Sequence, residues 1–235
     1  MMQVRAAHER GEANFGWLDS RHTFSFGHYF DARHMGFGPL RVINEDRVKP
    51  GAGFDTHGHR DMEILSYVID GELAHKDSMG TGSVIRRGDI QRMTAGSGVL
   101  HSEFNHSHEA PVHFLQIWIQ PDRKNLEPGY EQKTLDPAAR RNRLVLVASP
   151  EGGDHAVLIH QDARLYAGEL DAGKSVDYTA AADRGLWLQM VRGRVKVADG
   201  ELQAGDGAQF THETLLRIEA GEDAEFLLFD LPLAH

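Results

Sequence analysis

The sequence predicts an all-β protein made of two tandem β-barrel lobes. From about residue 40 onward, short apolar segments such as EILSYVI and VHFLQIWI alternate with turns rich in Gly, Asp and Pro, which is typical of strands. The 25 glycines among 235 residues suit many tight turns. Long stretches with helical periodicity are missing, and the best helix candidate is a turn or two at 136–143, which Asp-Pro opens.

The two halves of the chain repeat one pattern, which predicts a duplicated barrel unit. An apolar run ending in a Gly turn appears as ILSYVIDGEL and again as WLQMVRGRV, and each is followed by a Gly-Asp turn. The polar segment at 136–143 separates the halves, so we expect lobes at residues 1–135 and 136–235. Residues 1–40 are rich in aromatic side chains and are expected to cross the first lobe as an extended arm or to shape its opening.

Composition excludes several classes of protein. The chain has 35 acidic and 25 basic residues without a cluster of Lys or Arg, so direct nucleic-acid binding is not expected. Neither a secretory signal nor a run of about twenty apolar residues is present, which favours a soluble cytoplasmic protein with no membrane partner. Cysteine is absent, so any metal must be held by nitrogen and oxygen ligands. Because two barrels can pair within one chain, we expect a monomer.

Four side chains in two short motifs predict a metal site. His57 and His59 lie two residues apart in one motif, and His101 and Glu103 do so in the other. Residues two apart on a strand point to the same face, so adjacent strands would bring three imidazoles and a carboxylate together. Such a set binds one divalent cation and leaves positions for water or substrate. Iron, nickel, copper, manganese, cobalt and zinc all remain open as its identity.

The motifs and their surroundings resemble the pirin family of the cupin superfamily. The resemblance covers nearly the whole first lobe and rests on these stretches: NFGWLDSRHTFSFGHYFD, MGFGPLRVINED, GFDTHGHRDMEILSYVIDG, HKDSMG, MTAGSGVLHSEFN and FLQIWI. It implies a bicupin, two tandem cupin barrels of the double-stranded β-helix or jelly-roll type, with a metal only in the N-terminal lobe. Carried over by position, the implied metal ligands are His57, His59, His101 and Glu103.

One departure from the general cupin pattern leaves the carboxylate ligand open. Cupins usually carry it in the first motif, which corresponds to Glu63, whereas the pirin resemblance favours Glu103 in the second. Glu63 is interpreted as having the strand parity to face inward, so it is kept as a substitute or supporting residue. In the second lobe VDYTAAADRG replaces the first motif, so that lobe is expected to bind no metal, and its His155, His160 and His212 receive no role.

The resemblance also implies an activity, because some bacterial pirins act on quercetin as 2,3-dioxygenases. The chain would then be a metal-dependent dioxygenase that uses dioxygen to cleave the heterocyclic ring of flavonols and releases carbon monoxide. Glu103 would be the catalytic residue, both metal ligand and base for the 3-hydroxyl proton. One alternative is a metal-binding regulatory protein that acts through protein partners without turnover. Another is a different cupin reaction, such as another ring-opening oxidation or a sugar-phosphate isomerisation. For the isomerisation, only Arg60 and Arg92 flank the motifs.

A flat aromatic substrate requires an apolar pocket beside the metal. Five apolar side chains near the motifs are candidates either for this pocket or for ordinary barrel core: Phe54, Met62, Met93, Phe104 and Trp118. His113 shares strand parity with Leu115 and Ile117, so it is expected to be buried and structural.

Overall fold

The computed structural model describes residues 1–233 and is almost entirely β-structure. The first lobe, together with β1, contains these strands: β1 (Met2–Arg5), β2 (Gly11–Asn14), β3 (Leu18–His22), β4 (Leu40–Val48), β5 (Gly53–His59), β6 (Glu63–Asp70), β7 (Glu72–Asp77), β8 (Gly82–Arg86), β9 (Asp89–Thr94), β10 (Val99–Asn105), β11 (Val112–Ile119) and β12 (Gly129–Thr134). A 3₁₀ turn at Ala7–Glu9 follows β1.

A single helical turn leads into the second lobe. After helix α1 (Pro137–Arg140) come these strands: β13 (Arg143–Ser149), β14 (Val157–Leu158), β15 (Arg164–Leu170), β16 (Ser175–Thr179), β17 (Arg184–Arg192), β18 (Arg194–Val197), β19 (Gly200–Gln203), β20 (Gly207–Thr211), β21 (Leu215–Ala220) and β22 (Ala224–Pro232). The helix lies where the sequence predicts it, and the Asp136 side chain caps it by accepting the Ala138 N–H at 2.9 Å. Nowhere in residues 1–233 does the chain form a helix with the length and apolar character of a membrane span.

Each lobe consists of a seven-stranded and a four-stranded sheet. The first lobe has the orders β12-β9-β6-β11-β4-β3-β2 and β5-β10-β7-β8, and the second has β1-β20-β17-β22-β15-β13-β14 and β16-β21-β18-β19. Apolar side chains from both sheets of a lobe share one core. In the first lobe Val68 and Phe114 meet Leu73 and Ile85, which lie on the smaller sheet. This sandwich arrangement confirms the predicted tandem barrels.

The duplication predicted from the sequence is visible in matching turns. Gly71 joins β6 to β7 with a φ of +80°, and Gly193 joins β17 to β18 with a φ of +68°. A Cβ at Gly71 would lie 2.8 Å from the Pro111 carbonyl oxygen, and one at Gly193 would lie 2.1 Å from that of Asp223. Only glycine combines this left-handed backbone with so close an approach, so both halves use the same device.

The two seven-stranded sheets pack back to back and give the lobes a shared core. Leu65 and Tyr67 of β6 belong to the same buried cluster as Trp187, Leu227 and Phe229 of the second lobe. The Tyr67 hydroxyl also donates to Glu225 Oε1 at 2.6 Å across this interface. The alternate residues of β6, Ile64, Ser66 and Val68, point instead into the first barrel. Strand parity therefore divides interface residues from site residues.

The N-terminal segment differs from the expected arm across the first lobe. Strand β1 pairs antiparallel with β20 of the second lobe, with Val4 opposite Ala208. Strands β2 and β3 extend the large sheet of the first lobe, and Phe24 then packs on Trp187 with ring centroids 4.9 Å apart. The segment therefore contacts both lobes, the second through β1 and Phe24 and the first through β2 and β3. The division at residues 135 and 136 stays a prediction.

Candidate metal centre

The two predicted motifs lie on neighbouring strands of the small sheet. Strands β5 and β10 pair antiparallel, with His101 opposite His57 and Val99 opposite His59. The register shifts between His101 and Glu103, so Glu103 is opposite Phe54. Alternation along each strand places the motif side chains on the face turned to the barrel interior, where His101 and Glu103 are buried.

The three histidines converge on one point. Ring centroids are 4.5 Å apart for His57 and His101, and 4.8 Å apart for His59 and either of the others. The Nε2 atoms of His57 and His101 are separated by 3.1 Å. Two nitrogens that each lie about 2.1 Å from an ion, at roughly 90° to 110°, are themselves about 3.0 to 3.4 Å apart. The imidazoles are thus already spaced as neighbouring ligands of one cation.

Hydrogen bonding and burial prepare the imidazoles to act as ligands. His57 Nδ1 lies 2.7 Å from the Asp55 carbonyl oxygen, to which its N–H donates, so that the Nε2 lone pair points to the centre. Burial and the neighbouring His57 lower the pKa of His59 to about 4. Burial, with the adjacent histidines, lowers the pKa of His101 to about 2. Neutral imidazoles at ordinary pH are the form that binds metal.

Two polar side chains, Gln116 and Ser66, hold Glu103 at the edge of the three histidines. Its Oε2 accepts the Gln116 Nε2–H at 2.7 Å, and the Ser66 hydroxyl lies 3.4 Å from Oε1. Burial raises the pKa of the Glu103 carboxyl above its usual range. The Glu103 carboxylate, the His101 ring and one further histidine form a second cluster, in which one ligand atom of each residue lies within 4.8 Å of the others. The structure therefore brings Glu103 beside His101, the residue that both clusters share.

The third member of that second cluster, His75, was missed in the sequence. It lies on β7 with its Cα opposite Glu103, is 1% exposed, and its ring centroid is 5.4 Å from that of His101. His75 Nε2–H donates to the buried Asp77 Oδ2 at 2.9 Å. HKD gives His75 and Asp77 the same two-residue spacing as the metal motifs, but this spacing does not show that β7 lies beside β10.

A cavity of about 700 Å³ opens beside the histidines. His57, His59 and Glu103 line it, together with aromatic residues from several strands and the N-terminal segment: Phe15, Trp17, Phe26, Tyr29, Phe54 and Trp118. Of the five candidates for pocket or core, Phe54 and Trp118 line the cavity. Met62 and Met93 pack with Ile64 as barrel core, and Phe104 lies over Gly53. The alternative that residues 1–40 shape the opening is correct.

Glu63 faces away from the metal centre, contrary to the parity assigned from the sequence. It shares a face of β6 with Leu65 and Tyr67, toward the second lobe. There its carboxylate accepts the Thr94 hydroxyl at 3.0 Å and pairs with His160 Nδ1 at 3.1 Å. A role as substitute or supporting residue is therefore excluded by orientation. His160 has no role assigned from the sequence, and its hydrogen bond to Glu63 joins the two lobes.

The remaining histidines behave as structural or surface groups. His113 Nε2 lies 2.9 Å from Glu45 Oε1 and is partly buried, away from the ligand cluster. His155 and His212 are exposed. Strands β16 and β21 occupy the position that β5 and β10 hold in the first lobe, but there Val176 lies opposite Ile218 within apolar core. Among the described residues of the second lobe, no group of metal-ligating side chains comes together.

Two cupin barrels, one with a histidine-rich centre and one filled by apolar side chains, define the chain as a bicupin. Residues 3–119 match the Pirin family, and residues 146–231 match the quercetinase C-terminal cupin domain. The chain is 45% identical over 232 residues to the quercetin 2,3-dioxygenase of Escherichia coli (strain K12), covering 99% of both sequences. The chain belongs to the pirin family.

Solved structures agree with this assignment. The nickel(II) complex of the bacterial pirin YhhW from Escherichia coli superposes with a TM-score of 0.95 at 43% identity and covers 100% of both chains. A quercetin 2,3-dioxygenase from Acinetobacter baumannii has a TM-score of 0.79 at 22% identity, covering 99% of this chain and 87% of that one. At this identity, the similarity to the Acinetobacter baumannii protein shows a shared fold.

Proposed function

We propose that the chain binds one divalent metal ion through His57, His59, His101 and Glu103 and acts as a quercetin 2,3-dioxygenase. The observation that carries the proposal is the convergence of three imidazoles, with Glu103 beside them, at one wall of an aromatic cavity. Full-length similarity to a quercetin 2,3-dioxygenase supports the reaction class. The nickel(II) complex of the related YhhW supports a single-ion site, and the other candidate metals stay open.

The metal would act as a Lewis acid that favours the ionised form of a coordinating flavonol and brings it together with dioxygen. Glu103 would accept the 3-hydroxyl proton of the flavonol, because it is the carboxylate that lies beside the ligand histidines and lines the cavity. Gln116 donates to one Glu103 oxygen at 2.7 Å, and the Ser66 hydroxyl lies 3.4 Å from the other, so both side chains fix the carboxylate beside the ligand cluster. The heterocyclic ring is then cleaved, and carbon monoxide is released.

The cavity suits a planar substrate with little net charge. Trp118 lies edge-on to His59 with ring centroids 5.0 Å apart, and Phe26 lies edge-on to Trp118 at 5.3 Å. These rings present apolar walls directly beside the ligand histidines. The volume of about 700 Å³ is in the range of pockets that take molecules of flavonol size.

The alternative cupin reaction on a sugar phosphate lacks the required cations. Neither Arg nor Lys is among the described residues that line the cavity. Arg92 turns toward the second lobe, where it donates to the Leu158 carbonyl at 2.8 Å, and Arg60 is exposed outside the cavity. A regulatory role through protein partners has no specific observation in its favour.

The test is flavonol turnover by protein stripped of metal and reloaded with single metals. The proposal requires loss of quercetin absorbance with release of carbon monoxide for at least one metal. It also requires that Glu103→Gln keeps measurable metal and loses turnover. Full turnover in Glu103→Gln would contradict the role of Glu103 as base. The lobes at 1–135 and 136–235, and the monomeric state, belong to the same proposal and are checked by limited proteolysis and by light scattering.

A further inference from the structure

A row of polar side chains crosses the inner face of the large sheet of the first lobe. The Cα positions are paired from strand to strand, so the row runs through five neighbouring strands in the order Gln91, Ser66, Gln116, Asn44 and His22. Barrel interiors of this size are normally filled by apolar side chains. An unbroken polar row there indicates a function other than packing.

The middle of the row is connected to the metal centre. Gln116 donates to Glu103 Oε2 at 2.7 Å, and Ser66 lies 3.4 Å from Glu103 Oε1. Asn44 is the next residue beyond Gln116, and His22 lies beyond Asn44. The outer half of the row, Asn44 and His22, therefore begins next to Gln116 and continues along the cavity wall.

The outer half carries polar atoms without partners. Asn44 is 3% exposed and His22 is 5% exposed, yet Asn44 Oδ1 and His22 Nδ1 have no hydrogen-bond partner among the described residues. Both residues line the cavity. Buried polar atoms in native proteins are normally paired, because an unpaired one loses its hydration without compensation. Two such atoms side by side on one cavity wall indicate that a ligand supplies their partners.

The surroundings identify the chemistry of that ligand. Phe26 and Tyr29 flank His22, with ring centroids 5.3 Å and 6.4 Å away, so an aromatic ring fits against this wall. On the adjacent row, Asp46 is buried, lines the same cavity and accepts the Ser20 hydroxyl with Oδ1 at 2.5 Å. An amide oxygen, an imidazole and a carboxyl group together match phenolic hydroxyl groups, which both donate and accept.

We propose that Asn44 and His22, supported by Asp46, form a second subsite that binds hydroxyl groups on an aromatic ring of the substrate. The subsite rests on the proposed function, because the metal-binding 3-hydroxyl of a flavonol fixes one end of the molecule. It makes the protein selective for polyhydroxylated flavonols over flavonols without ring hydroxyls. Asn44 and His22 are thus specificity-determining residues, whereas Glu103 acts on the reacting enol.

The test compares quercetin with 3-hydroxyflavone, which keeps the metal-binding enol and lacks every ring hydroxyl. Binding to the metal-loaded protein without dioxygen is followed by quenching of tryptophan fluorescence, since Trp17 and Trp118 line the cavity. The wild type is expected to bind quercetin about tenfold or more tightly than 3-hydroxyflavone. Asn44→Leu is expected to reduce this preference to about twofold while keeping its affinity for 3-hydroxyflavone.

Gln91→Leu is the matched control. Gln91 is a buried amide of the same row with an unpartnered Oε1, but it is not among the residues that line the cavity. Its substitution is expected to leave the preference for quercetin unchanged. His22→Phe provides a second variant of the subsite, should Asn44→Leu fail to fold. An unchanged preference in the subsite variants, or an equal loss of affinity for both flavonols, would overturn the subsite.

Turnover measurements distinguish the hydroxyl-binding subsite from the dioxygenase activity. Protein that binds quercetin with the expected preference and releases no carbon monoxide with any metal would retain the subsite and reject the dioxygenase. Protein that turns over quercetin and 3-hydroxyflavone with equal KM values would retain the dioxygenase and reject the subsite. In an active enzyme, Asn44→Leu is expected to raise the KM for quercetin and to leave its kcat within about twofold.

Discussion

The Nε2 atoms of His57 and His101 lie 3.1 Å apart, and burial, with the adjacent histidines, lowers the pKa of His101 so that its ring is neutral at ordinary pH. The Asp55 carbonyl oxygen occupies the Nδ1–H of His57, so its Nε2 presents a lone pair. A shared cation would require His101 Nε2 to present a lone pair as well, and His101 Nδ1, which has no hydrogen-bond partner among the described residues, can carry the proton instead. The spacing matches that of two neighbouring ligands of one cation.

His101→Ala is expected to weaken metal binding by about two orders of magnitude or more, because His101 is common to both ligand clusters. Metal content after dialysis, measured by atomic absorption, and calorimetric titration of the stripped protein check this. The exposed His155→Ala is the control and should retain the wild-type metal content. A His101→Ala protein with a full equivalent of tightly held metal would refute the ligand set.

His75→Ala is expected to lower metal affinity by about ten- to a hundredfold without abolishing it. The His75 ring supports that of His101, and its removal also leaves the buried Asp77 carboxylate without its imidazole partner. The free energy of unfolding of the stripped protein should fall by about 1–3 kcal/mol as well. Titration and urea unfolding measure the two effects, with the exposed His106→Ala as control. Unchanged metal affinity in His75→Ala would limit His75 to a role in folding.

Asp46→Asn is expected to stabilise the protein at alkaline pH. Burial raises the pKa of Asp46 from 3.8 to about 7, so the folded state holds a proton that the unfolded state has released. Ionisation of Asp46 therefore lowers the free energy of unfolding. This loss is absent below pH 4, grows as the pH rises toward 7 and is complete above it, where it amounts to at most about 4 kcal/mol. Urea unfolding should show that Asp46→Asn raises the free energy of unfolding above that of the wild type by more at pH 8 than at pH 5.

The exposed Asp177→Asn is the control for this pH dependence, since Asp177 pairs with Arg217 on the surface. Its effect should stay below about 1 kcal/mol at both pH values. An Asp46→Asn variant that gains equally at pH 5 and pH 8 would show that Asp46 does not titrate as its burial implies.

Truncation after residue 140 is expected to give an insoluble or unfolded fragment. It would expose Leu65, Tyr67 and Leu115, which the second lobe covers, and it would remove the β20 partner of β1. Size-exclusion chromatography and circular dichroism of the fragment 1–140, beside the full chain, check this. A monomeric, folded fragment that binds metal would show that the first lobe is independent of the shared core.

Much of the site was predictable because strand parity is local. Spacing alone places His57 and His59 on one face of their strand, and His101 and Glu103 on one face of theirs. The Gly71 and Gly193 turns marked the duplication. When both faces of a strand are buried, strand parity does not show which face points to the barrel interior and which to the other lobe. Glu63 was assigned to the barrel interior for this reason, whereas the packing of two sheets back to back places it against His160.

Contacts between distant segments account for the other differences. Strand β1 pairs with β20 across 200 residues, and nothing in its four residues specifies a partner in the second lobe. The row from Gln116 through Asn44 to His22 depends on the order of β11, β4 and β3, which a sequence does not reveal directly. His75 was missed because its role depends on the neighbouring strand that carries His101.

Quercetin turnover is measured with stripped protein reloaded separately with iron(II), copper(II), nickel(II), manganese(II), cobalt(II) and zinc(II). Quercetin absorbance and carbon monoxide release are followed together, with Glu103→Gln alongside the wild type. We expect at least one metal to support both signals and Glu103→Gln to abolish them while keeping metal. A protein loaded with each metal in turn that consumes no quercetin and releases no carbon monoxide would show that the chain is not a quercetin 2,3-dioxygenase.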